Sequence, residues 1–230
     1  RLARTWLPVV GAVLAIALVA ALSWWGWQSF QTAQADKASA AYDRGMEALE
    51  ASNPTGADVA FTEAAKTGTS AYKALALMQR AGIALTAGRT PEAITLFDEA
   101  AKVANDPIIS DPAALKAAWL VMDTDATLEA VEDRLEPLTA EGRPLRAFAQ
   151  EALGLARLQH GKLPEAREVF VLLQRGLDVP DPIKQRAQIA IAAIDAGTAT
   201  ALADTVRAQA LIPATPAASA GANAAAPTQP

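Results

Sequence analysis

Gly88-Arg89-Thr90-Pro91-Glu92-Ala93, with Phe97 four residues on, is matched by Gly161-Lys162-Leu163-Pro164-Glu165-Ala166 with Phe170. Gly, Pro, Glu, Ala and Phe recur at identical spacing, and the second copy begins 73 residues after the first. Halving that offset predicts further units near 57 and 130. Ala57, Phe61 and Ala64 reproduce the spacing of Ala93, Phe97 and Ala100, while Ala130 is followed by Arg134 where a Phe is expected. Ala and Phe at i and i+4 share one helix face. The small residue admits a neighbouring helix and the ring fills the space beside it. A period of this length, carried by helices, is the mark of a stacked array in which each unit buries its neighbour.

The sequence around these copies is helical. From Asp36 to Ala210 it is rich in Ala, Leu, Glu, Gln and Arg, all good helix formers. Thr90-Pro91-Glu92 reads as an N-cap, a first helical residue and an acidic first turn. Asp111-Pro112 and Asp181-Pro182 repeat that form, and Pro144 is expected to open another helix. Gly88, Gly161 and Gly197 follow periodic apolar stretches and suit the position just past a helix end. Eight or nine helices are expected.

The N-terminal part differs. No charge occurs from Thr5 to Ala35, and Leu7 to Trp27 is almost wholly apolar. At 1.5 Å per residue that stretch spans a hydrocarbon core of about 30 Å. Arg1 and Arg4 precede it, which places the N-terminus in the cytoplasm and the remainder outside. Trp6, Trp24, Trp25 and Trp27 flank it, where amphipathic rings prefer the headgroup layer. The competing reading is a signal peptide cut at Ala33-Gln34-Ala35, but the apolar run is about twice the usual length for one. The last part, after Arg207, is uncharged and rich in Ala and Pro, and reads as a flexible tail. The expected organisation is an anchor over 1–35, a helical-repeat domain over 36–197, and a helix remnant with tail over 198–230.

Composition excludes several functions. The chain has 230 residues, no Cys, one His and a net charge of −5. Without Cys there are no disulfides, thiolate metal sites or thiol nucleophiles, and the acidic balance argues against nucleic acid as a partner. His160, next to Gly161 at an expected helix end, reads as a structural residue facing the helix dipole. Asp123-Thr124-Asp125 is only a fragment of a calcium loop. No phosphate-binding or hydrolase motif is present. The expectation is no enzyme activity, no metal and no cofactor.

The period and the Gly, Ala and Phe spacing resemble the tetratricopeptide repeat. Gly154, after Leu153, and Ala81 stand where that repeat wants a small residue in its first helix, although the later aromatic of that helix is absent. The resemblance implies an all-α solenoid, following the single transmembrane helix expected from the apolar run. The layout, together with Leu135-Glu136-Pro137-Leu138-Thr139-Ala140-Glu141-Gly142-Arg143-Pro144 and Ala156-Arg157-Leu158-Gln159-His160-Gly161, resembles the bacterial family of ancillary Sec translocon subunits. That resemblance implies an inner-membrane protein with a periplasmic domain. Its implied partners are the translocon, periplasmic clients or chaperones, and the lipid bilayer. A binding groove would be lined by the first helix of each repeat. The candidates are Tyr42, Met46 and Leu49; Leu75, Met78 and Leu85; and Phe148, Leu155 and Leu158. The competing assignment for most of them is inter-helix core. The rival function is a structural accessory subunit of another inner-membrane complex, respiratory, photosynthetic or cell-division.

Overall fold

The structure, a computed structural model, describes residues 2–199, with side chains from residue 16 onward. The expected tail and the side chain of Trp6 lie outside that description. The described elements are helical: α1 (Leu2–Glu50), α2 (Pro54–Thr67), α3 (Ser70–Thr86), α4 (Thr90–Val103), α5 (Pro107–Met122), α6 (Leu128–Leu135), a 3-10 turn (Glu136–Thr139), α7 (Arg146–Gln159), α8 (Leu163–Arg175) and α9 (Asp181–Asp195). Through α5, and again from α6 to α9, each helix packs on the next, and the short α5–α6 and 3-10 contacts join the two runs. Odd-numbered helices also touch each other in order, α1 with α3, α3 with α5, α5 with α7 and α7 with α9. This is an all-α solenoid of helix pairs.

Local chemistry sets the boundaries. Asn53 accepts from the Gly56 N–H to cap α2, Asp106 from the Ile108 N–H to cap α5, and Thr127 from the Ala130 N–H to cap α6. Gly88, Gly161 and Gly197 follow α3, α7 and α9 with φ of +74°, +72° and +71°, a conformation in which a Cβ is strained.

Four expected helix starts need correction. Asp181 is already the first residue of α9 and its side chain caps nothing; Pro180 precedes it. Thr90 is already helical and its side chain caps nothing; Arg89 precedes it. Asp111-Pro112 does not open a helix. The segment holds a second Asp-Pro pair, and Asp106-Pro107 opens α5, so Pro112 falls inside the helix and Asp111 becomes buried. Pro144 stays in the turn before α7, which opens at Arg146.

Among the described residues no helix is long and apolar enough to cross a membrane. The expected span Leu7 to Trp27 begins among residues whose side chains lie outside the description. From Ile16 to Ala33 every side chain of α1 is exposed, including Leu18, Leu22, Trp24, Trp25, Trp27 and Phe30. The same helix then becomes part of the array, with Ala38 and Ala41 fully buried.

Candidate functional site

The repeat is built on one contact. Phe61, Phe97 and Phe170 are buried, as are Ala57, Ala93 and Ala166 in the turn before each ring. Sixteen residues before each ring stands a small residue on the preceding helix: Gly45, Ala81 and Gly154. A Cβ on Gly45 would come within 2.5 Å of the Phe61 ring, and one on Gly154 within 2.8 Å of the Phe170 ring. The ring lies where the side chain is missing, so the two helices of a pair approach closely. Gly45 escaped sequence reading because α1 looks like the end of an anchor; its distance from Phe61 was the signal available.

The third unit along the chain is shifted by one residue. Ala130 is exposed, and Arg134 turns outward to pair with Asp98. Val131 and Leu135 are fully buried in their stead and share a cluster with Ala118. The Ala130/Arg134 pairing expected from the half-offset is therefore replaced by Val131/Leu135. The α5–α6 turn is long enough to absorb the slip.

The groove residues divide. The Tyr42 ring meets Phe61 edge-on at 5.2 Å between centroids, and its hydroxyl accepts from Gln79 Nε2 at 2.8 Å. Met46 and Leu49 pack on the α1–α2 cluster, and Met78 and Leu85 on the α3–α4 cluster. Leu155 packs between two clusters, and Leu158 on the last. These half-buried side chains belong mainly to the inter-helix core. Leu75 and Phe148, at equivalent positions two repeats apart, are 36% and 40% exposed. Trp119, on α5 between them in the row of odd helices, is 38% exposed. It went unremarked in the sequence because α5 carries no copy of the Gly-Pro-Glu-Ala signature. Leu75, Trp119 and Phe148 are apolar contact points on three successive odd helices.

Polar pairs reinforce the stacking at one repeat length. Tyr42 bonds to Gln79, 37 residues on; Arg134 reaches Asp98 across 36; Arg186 grips Glu151 across 35 with bonds of 2.5 and 2.7 Å. Each joins equivalent helices of adjacent repeats. Asp111, fully buried, pairs with Arg143 in the turn before α7. Burial pushes its carboxyl above the ordinary range, against the opposing pull of Arg143 and Ser110. Its Oδ2 and Arg143 Nε have no hydrogen-bond partner.

His160 sits at the end of α7, with Nδ1 2.9 Å from the Ala156 carbonyl and Nε2 3.2 Å from that of Ala126. It ties α7 to the α5–α6 turn. Among the described residues no three acidic or His side chains gather to hold a metal ion.

Residues 4–194 match the family model of the tetratricopeptide repeat-like domain. No curated protein matches the chain, and no solved structure does either.

Proposed function

The chain belongs to the tetratricopeptide repeat-like domain family, and on that premise we propose that it is a membrane-anchored adaptor that binds proteins through its repeats. Domains of this kind act by contact, presenting the first helices of successive units to a partner. Leu75, Trp119 and Phe148 supply the apolar points of that face. The anchor is the N-terminal part of α1.

The observation that carries the proposal is the dual nature of α1. One unbroken helix is apolar and uncovered from Ile16 to Phe30, and buried as the first helix of the array from Ala38 onward. Water-exposed helices do not bear isoleucine, leucine and tryptophan on all sides. A bilayer accounts for that surface, with Trp24, Trp25 and Trp27 at its headgroup layer. Arg1 and Arg4 keep the N-terminus cytoplasmic, so the repeats face the periplasm of a bacterial inner membrane. The partner proposed is the Sec translocon, with clients handed on to periplasmic chaperones. Anchoring raises the effective concentration of the repeats near such a complex, so weak contacts suffice.

The test is a pull-down from mild detergent extract, comparing the intact chain, a chain lacking residues 1–35, and the double variant Leu75→Glu, Phe148→Glu. Loss of protein partners in the double variant, with membrane location kept, is the expected result. If only removal of residues 1–35 releases them, the chain is instead an accessory subunit held through its membrane helix. A periplasm-only reporter fused after Pro230 should be active; activity of a cytoplasm-only reporter there overturns the orientation.

A further inference from the structure

The two edges of the solenoid differ in a way that repeat packing does not require. α1 leaves the array beside the α2–α3 turn, where a Cβ on Gly68 would come within 3.1 Å of the Ala38 Cβ. Asn105 of the α4–α5 turn donates to the Oγ of Ser70, which opens α3 just after the α2–α3 turn, at 3.2 Å. Asp111, near the start of α5, holds Arg143 in the turn before α7. Ala147, just after that turn, and Val179 of the α8–α9 turn join one apolar cluster. Four turns thus form a single rim on the side from which the uncovered part of α1 emerges.

Five of the eight Lys and Arg that make no ion pair among the described residues stand there. Lys66, Lys102 and Arg175 stand in the last turns of α2, α4 and α8, Arg146 opens α7, and Lys184 is in the first turn of α9. None makes an ion pair among the described residues, whereas nine other pairs tie up Arg and Lys elsewhere. The rim also bears Asp106, Glu141, Asp178 and Asp181, so its charge is nearly balanced; Asp106 is engaged in capping α5. The opposite edge is acidic: Glu47, Glu50, Asp125, Glu129 and Glu165 are exposed there against Lys162, while Arg89 is paired with Glu92. Large apolar side chains accompany the rim cations. Ile108 is 69% exposed, Leu172 66% and Leu177, in the α8–α9 turn, 94%.

Resting on the anchor reading above, we propose that the far end of this rim lies against the bilayer that α1 enters, with Leu172 and Leu177 at the lipid interface and Arg175 and Lys184 facing anionic headgroups. The acidic edge then points away from the negative membrane surface. Geometry permits it. Eleven residues of helix from Trp27 to Ala38 hold the near end of the rim about 16 Å above the interface. A membrane helix tilts by up to about 40°, which lowers the far end, where Leu177 lies, to the headgroups. Apolar side chains flanked by Lys and Arg suit that layer. The consequence is a solenoid inclined to the membrane with its last repeat down, so that its row of odd helices is presented at a set angle to a neighbouring membrane complex.

The chain has no Cys, so single labels are unambiguous. The intact chain carrying Leu177→Cys, or Asp125→Cys on the opposite edge, is labelled with bimane. It is reconstituted into phosphatidylcholine vesicles with or without phosphatidylglycerol, with nitroxide-headgroup lipid as quencher. Flotation reports the anchor separately. The expected result is several-fold stronger quenching at 177 than at 125. Phosphatidylglycerol should increase it, and Arg175→Glu with Lys184→Glu should remove that increase. A chain that floats with equal quenching at both labels, or none at 177, overturns the rim alone. A chain that does not float overturns the anchor and the rim together.

Discussion

Phe170 lies across Gly154 so closely that a Cβ on that glycine would sit 2.8 Å from the Cζ of the ring. Gly45 and Phe61 repeat the relationship one end of the array away. A glycine inside a helix ordinarily weakens it by about 0.5–1 kcal/mol relative to alanine. Here that cost secures the approach of two helices.

The sign of a Gly→Ala change therefore depends on the glycine. A Cβ on Gly82, in the middle of α3, would meet nothing within 4 Å. Gly82→Ala should stabilise the protein by about 0.5–1 kcal/mol. Gly154→Ala gains the same propensity but crowds Phe170, and overpacking costs about 1–3 kcal/mol, so it should be net destabilising. Thermal unfolding of the two variants, followed by circular dichroism, checks this. A stabilised Gly154→Ala would mean that the ring moves aside freely.

The register of the third unit makes a second prediction. Leu135 is fully buried and Arg134 is half-exposed in its pair with Asp98. Leu135→Ala should cost about 2–5 kcal/mol, and Arg134→Ala no more than about 1 kcal/mol. Phe97→Ala and Phe170→Ala should cost about 3–5 kcal/mol each, and Phe148→Ala, 40% exposed, clearly less. Urea unfolding midpoints of the five variants rank them. Equal losses at Arg134 and Leu135 would restore the register read from the half-offset.

That slip marks the boundary of what the sequence discloses. Ala and Phe four apart are legible because a large ring beside a small residue is a distinctive pair. Val131 and Leu135 are not, because any helix bears such aliphatics, and only packing against Ala118 selects them. The helix start at Asp106 was hidden for a related reason: two Asp-Pro pairs stand five residues apart, and local chemistry favours both. Burial of Asp111 decides between them, and burial is a tertiary property. The groove suffers likewise. Met78 and Leu75 are equally apolar in sequence, and the neighbouring helices alone determine that one packs inward and the other faces solvent.

Asp111 should give the protein an unusual pH response. Burial raises its carboxyl above the ordinary 3.8, while Arg143 and Ser110 only partly oppose this. A folded state that holds a proton more tightly is favoured where the proton is bound. The contribution of Asp111 is therefore full below about pH 4 and is lost as pH rises through the folded value. Asp195 behaves oppositely: its bonds from Arg167 lower it, so its contribution is present at neutral pH and fades in acid. Stability of Asp111→Asn relative to the parent should rise from about pH 3 to pH 7, while that of Asp195→Asn should fall. Urea titrations across that range measure both slopes. Parallel slopes would contradict the buried assignment of Asp111.

Arg186 should control the last repeat alone. Its two nitrogens bond Glu151 at 2.5 and 2.7 Å and tie α9 to α7, and Glu151 is buried while Arg186 is half-exposed. Removing the guanidinium strands a buried carboxylate, which costs more than an exposed pair is worth. Lysine cannot restore the paired bonds, because an ammonium lacks the planar fork. In a solenoid each unit leans only on its neighbours, so the loss should stay local. Arg186→Met and Arg186→Lys should both speed amide hydrogen exchange in α8 and α9 and leave α2 to α4 protected as before. Glu151→Gln combined with Arg186→Met, which removes the stranded charge, should recover part of the protection. Exchange that accelerates evenly along all the helices would show that the array unfolds as one cooperative block, with the Glu151–Arg186 clasp contributing to the whole instead of to its end.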